Sequence, residues 1–126
     1  MGRGFGPSST EIIMATVSPI TSVVDGIPRV TWADIVTGDT ITSLPVPGRK
    51  LTPASVQIGG TFGGATVKLQ VSNDNTTFYD LKDTSGTTVS ATSGAIFELS
   101  SSAAYFKPSL TSGSANAVDI TLILRG

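Results

Sequence analysis

The chain is expected to fold as an all-β protein, an antiparallel β-sandwich of jelly-roll or immunoglobulin-like type with an extended N-terminal arm. Three observations on its 126 residues predict this. Apolar and polar residues alternate with period 2 along most of the chain, as strands with one buried face require. No window of about a dozen residues carries a helical 3.6 period. Turn-forming pairs recur roughly every ten residues, the spacing of short strands in sandwiches and barrels.

Two strands are plain. In Ala65–Val71, Val67, Leu69 and Val71 point one way, and Thr66, Lys68 and Gln70 the other. In Val118–Leu124, Val118, Ile120, Leu122 and Leu124 form an apolar face opposed by Asp119 and Thr121. Shorter strands are expected at Glu11–Ser18, Pro28–Ile35, Asp39–Leu44, Ser55–Ile58, Phe78–Lys82, Thr87–Ser90, Ala95–Leu99 and Ala104–Leu110. Asp25-Gly26, Thr37-Gly38, Ser85-Gly86, Ser93-Gly94 and Ser112-Gly113 separate them, each pairing a turn former with a residue free to take positive φ. Glu11–Val17 follows a capping-like Ser8-Ser9-Thr10. Its β-branched residues and Pro19 nevertheless favour a strand there.

Residues 1–10 carry glycines, a proline, Arg3 and a lone Phe5, too little to bury alone, and read as an arm. Residues 11–54 read as an N-terminal β-ribbon with an extended, proline-rich connection, LPVPGRKLTP, and 55–126 as the sandwich core. Residues 11–126 together form one domain.

Composition removes whole classes of chemistry. With no cysteine and no histidine, the chain can form no disulfide, no thiolate metal site and no histidine-based nucleophile system. Charged residues make up 13% of the chain, and no cationic run exceeds Arg49-Lys50, so nothing marks a nucleic-acid or membrane surface. The two glutamates, Glu11 and Glu98, lie far apart, and Asp80 and Asp83 flank Lys82, the pattern of a solvated strand end. No catalytic residue, cofactor or metal is expected.

Residues 56–81, VQIGGTFGGATVKLQVSNDNTTFYDL, need closer reading. The glycine run precedes a strand rather than a helix, and no Gly-Lys-Ser/Thr follows, so a turn or bulge is expected rather than a phosphate cradle. Asn73-Asp74-Asn75 offers one carboxylate where a calcium loop needs several, so a tight hairpin turn is expected. Trp32 alternates with Val30 and reads as core. A glycan platform would need Trp32, Tyr79 and Tyr105 exposed together.

The segments TFGGATVKLQVSNDNTTFYDLKD and TVSATSGAIFELSSSAAYFKPSLTSGSANAVDITLIL carry a resemblance. A glycine turn, the strand ATVKLQVS, the NDNTTFYD turn ending in aromatics, the strand Tyr105-Phe106-Lys107-Pro108 and a closing Ile/Leu-rich strand follow one another. This order, over residues 55–126, resembles small virion structural proteins of tailed bacteriophages. Phe78-Tyr79 stands where that pattern often has tryptophan. Size and arm look most like head decoration, or cement, proteins. The resemblance implies a non-enzymatic protein made in the host bacterial cytoplasm and bound to the capsid surface. It also implies the major capsid protein as partner, and trimers. A tail, baseplate or fibre-associated module binding host glycans is the alternative. The expected partner-binding residues are Arg3, Phe5, Met14, Ile41, Arg49 and Lys50. The nearly uncharged segments 11–18 and 39–44 are expected to pair across subunits, because exposed strand edges need cover.

Overall fold

The computed structural model describes residues 15–46 and 51–125. Among them are twelve strands and no helix. In chain order these are β1 (Thr16–Val17), β2 (Ile20–Val24), β3 (Ile27–Ile35), β4 (Thr40–Ile41), β5 (Leu44–Pro45) and β6 (Thr52–Thr61). They continue with β7 (Thr66–Ser72), β8 (Tyr79–Asp80), β9 (Ser90–Ala91), β10 (Ala95–Glu98), β11 (Tyr105–Thr111) and β12 (Ala117–Arg125). One five-stranded sheet has the order β10-β6-β12-β3-β2. The other has the order β5-β11-β7-β8, with β9 also paired to β7. Both are antiparallel and pack face to face as a β-sandwich. A short parallel pair, β1-β4, touches β3 in one sheet and β11 in the other.

The alternating residues meet between the sheets. From the first sheet come Val30, Trp32 and Ile35 of β3, Val56 and Ile58 of β6, and Val118, Ile120, Leu122 and Leu124 of β12, all buried. Val67 and Leu69 of β7, Phe106 of β11 and Leu44 of β5 face them from the second. Each such side chain taken fully out of water contributes about 1.5–3 kcal/mol. The β-branched and leucine residues at every second position therefore select both the strands and their facing.

β3 pairs along β12 through Val118↔Ile35 to Ile123↔Arg29, and β6 starts at Thr52, running through the expected boundary at 54/55. The described part of residues 11–54 is thus built into the sandwich, contributing Trp32 and Leu44 to its core, rather than standing outside it as a ribbon. The cause is local: Val30 and Trp32 share one face of β3, and that face can be covered only by the opposite sheet.

Two irregularities have identifiable causes. Opposite β12, the ladder on β3 slips at Ala33-Asp34, where Asp34 takes φ 54° and gives its N–H to Asp119 Oδ1 at 2.8 Å. The carboxylate satisfies a donor that the bulge removes from the ladder. On β6 the register shifts at Pro53-Ala54, where proline's missing N–H suits a bulge. The Ala54 carbonyl, displaced from the ladder, accepts the Leu99 N–H instead.

The two halves of residues 56–81 do different jobs. The glycine run is no hairpin turn: β6 and β7 belong to different sheets, so Phe62–Ala65 carries the chain across the sandwich. Gly60 (φ 100°) and Gly63 (φ 58°) lie so close to the carbonyl oxygens of Ala117 and Ser114 that a Cβ would collide with either. The polar cluster does close a hairpin, joining β7 to β8 with Gln70↔Asp80 and Val71↔Tyr79 opposite one another.

Candidate interaction surfaces

Five of the six residues expected to touch a partner, Arg3, Phe5, Met14, Arg49 and Lys50, lie outside the described residues. The sixth, Ile41, is half-buried and packs with Val17 against the core. The described parts of the two segments expected to pair across subunits, 15–18 and 39–44, meet within one chain. Thr16↔Thr40 and Val17↔Ile41 pair in parallel, and the N–H groups of Thr40 and Thr42 donate to the carbonyls of Ala15 and Val17. Asp39 locks this corner, its two oxygens accepting the N–H groups of Ala15 (3.1 Å) and Val36 (2.9 Å). A nearly uncharged strand needs a partner, and here each segment serves the other.

Trp32, Tyr79 and Tyr105 are not exposed together. Trp32 is fully buried, and its Nε1 donates to the Thr42 carbonyl at 2.8 Å, tying β3 to the segment after β4. Tyr79 is 69% exposed on the edge strand β8, and Tyr105 is half-buried on β11. Lys107 lies over the Phe78 ring, 4.2 Å from its centroid, a cation–π contact on the outer face of the second sheet. With Trp32 inside, the three-aromatic platform that a glycan-binding reading requires does not exist.

The polar turn after β7 is self-contained. Asp74 Oδ1 accepts the Ser72 hydroxyl (2.7 Å) and the N–H groups of Thr76 (2.9 Å) and Thr77 (3.0 Å). Ser72 Oγ accepts the N–H groups of Asp74 and Asn75 in return. The donated bonds, first that from Thr77 and next that from Ser72, lower the Asp74 carboxyl to about 2. The open hollow beside this turn is lined by Val71, Ser72, Asn73, Asp74, Thr77, Tyr79 and Ala103. It offers one carboxylate, already bonded. No group of three or more Asp or Glu that could hold a cation occurs among the described residues.

Other carboxylates are similarly engaged. Asp83 Oδ1 accepts the N–H groups of Ser85 and Thr87, and Asp119 serves the bulge at Asp34. Asp80 forms the one ion pair among the described residues, with Lys68 at 3.0 Å. The Gln70 amide and then the Lys68 ammonium hold its carboxyl below the ordinary range.

One feature was hidden in the sequence. β2 lies at the edge of the first sheet with all five residues exposed, Ile20 at 66% and Val23 at 65%. Strand propensity at Ile20, Val23 and Val24 and the Asp25-Gly26 turn were its available signals. Comparison with protein-family models, with curated proteins and with solved structures finds no match.

Proposed function

We propose that this chain is a non-enzymatic structural protein of a phage virion, a capsid decoration protein. It binds the outside of the head and stabilises contacts between major capsid subunits. The observation that carries the reading is the ordered series of glycine turn, ATVKLQVS strand, NDNTTFYD turn, Tyr105-Phe106-Lys107-Pro108 strand and Ile/Leu-rich closing strand. These elements occupy the glycine crossing, β7, its hairpin turn, β11 and β12 of a β-sandwich. A small sandwich in which Asp39, Asp74, Asp83 and Asp119 bond its own backbone suits a clamp better than a catalyst. Many copies on a shell multiply a modest contact into high avidity.

Three-fold self-association on the shell belongs to the same reading, with closed symmetry preventing growth into fibres. The protein would be made in the host bacterial cytoplasm and end on the virion surface. Added to purified expanded heads, it should bind at a fixed number of copies per capsid and raise the temperature at which the heads break. Heads that neither retain the protein through sedimentation nor gain thermal resistance would sink the proposal.

A further inference from the structure

We infer that β2 is a self-recognition edge: two copies of this chain pair antiparallel through Ile20–Val24 about a two-fold axis at Ser22, joining their five-stranded sheets into one. The inference goes beyond the decoration reading and does not depend on it.

The sandwich's edges differ in how they are protected. β5, β8 and β9 are two residues long, and β10 carries Glu98, all devices that discourage pairing. β2 has five residues, no charge, and a proline only before its first position, at Pro19. Ile20, Val23 and Val24 are large apolar side chains left exposed on it. An uncharged edge of this length is the template on which another strand adds.

The occupant follows from the register. The Asp25-Gly26 turn, with φ 53° and 77°, is a two-residue hairpin of type I′ that places Val24 opposite Ile27. The turn bonds the Ile27 N–H to the Val24 carbonyl, so Val24, Ser22 and Ile20 direct their backbone groups at β3. Thr21 and Val23 therefore direct theirs at the open edge, and no partner for them occurs among the described residues. In an antiparallel pair centred on Ser22, Thr21 falls opposite Val23 of the other copy, where these four donors and acceptors match in both directions. Ile20 falls opposite Val24 on one face, apolar against apolar, and Ser22 faces Ser22. No charge meets its own sign, because the strand has none. A two-fold contact closes after two chains.

The chain has no cysteine, which makes a single introduced thiol diagnostic. At the axis the two Ser22 Cα atoms form a non-hydrogen-bonded pair about 4.5 Å apart. That lies within the roughly 4.4–6.8 Å that a disulfide spans. The two Val24 Cα atoms lie roughly 14 Å apart, four residues of rise. Under mild oxidation S22C should form a covalent dimer at least about tenfold faster than V24C, as the pair raises the local thiol concentration. Adding V23K to S22C should remove that advantage. In the unmodified chain, amide exchange at Thr21 and Val23 should slow as protein concentration rises. Equal cross-linking of S22C and V24C would overturn the inference. So would protection of Thr21 and Val23 that is independent of concentration, since it would mean that another segment of the same chain covers the edge.

Discussion

Trp32 is the only tryptophan, and its environment separates a core residue from a ligand platform in one substitution. The side chain is fully buried, and its indole N–H is bonded to the Thr42 carbonyl. Trp32→Phe removes that bond, a net loss of about 0.5–1.5 kcal/mol, and the exposed Thr42 lets water take over as donor to the carbonyl. The smaller ring leaves space where the indole stood, worth about 0.8 kcal/mol for each methylene-sized group no longer buried. The total is about 2–3 kcal/mol. For 126 residues the unfolding entropy is about 0.26 kcal/mol per degree, so Tm should fall by about 8–12 °C. Differential scanning calorimetry measures this directly. Tyr79→Ala, on an exposed edge, should stay within about 0.5 kcal/mol of the parent. A Trp32→Phe protein melting within about 2 °C of the parent would show that the indole is not a core element, and the burial argument would fail.

Three further outcomes are expected. Gly60→Ala puts a Cβ against the Ala117 carbonyl at φ 100°, so it should destabilise by about 1–3 kcal/mol, and an unchanged urea midpoint would contradict the crossing geometry. The Asp74 carboxyl is lowered from 3.8 to about 2 in the folded protein, so its contribution to stability is present above pH 3.8 and is lost as pH falls through about 2. Asp74→Asn should therefore flatten that part of the Tm-against-pH curve, and parallel curves for the two proteins would show that the turn does not depend on the charge. Deleting Met1–Thr10 removes none of the described strands and should leave the melting temperature near the parent's while weakening retention on heads. The reverse result would assign the arm to the fold.

The legible parts of the fold were those where burial is one-sided. β7 and β12 alternate because one face meets the core, and Val118, Ile120, Leu122 and Leu124 lie buried as the pattern requires. β2 escaped because both its faces are exposed, so no alternation exists to be read. The start of β6 escaped because Pro53 argues against a strand unless a bulge accommodates it, and a bulge depends on the partner strand. The glycine run was readable as a turn, but whether it returns to the same sheet depends on which strands pair, a long-range matter. Trp32 was legible from its alternation with Val30. The pairing of β1 with β4 was not, because two short uncharged segments look alike whether they seek each other or another chain.

The placement of charge bears on how this protein recognises anything at all. Asp39, Asp74, Asp83 and Asp119 each hold backbone N–H groups, and Asp80 holds Lys68 and Gln70. These carboxylates are structural. Exposed besides them among the described residues are hydroxyl groups, Ile20, Val23 and Ile96, the backbone of an edge strand, and the charges of Asp25, Asp34, Lys82, Glu98 and Arg125. Those charges are of both signs and dispersed along the chain rather than gathered in one patch. Such surfaces bind through shape, apolar contact and main-chain hydrogen bonds, which salt does not screen. Electrostatic steering, by contrast, falls steeply with ionic strength. Association with a shell or with a second copy should therefore change by less than about threefold between roughly 0.05 and 0.5 M sodium chloride, over which the Debye length shortens from above about 10 Å to below about 8 Å. Sedimentation binding at the two salt concentrations gives the answer. A tenfold or larger loss at high salt would place the recognition on charged groups, and Arg49-Lys50 would become the first residues to substitute.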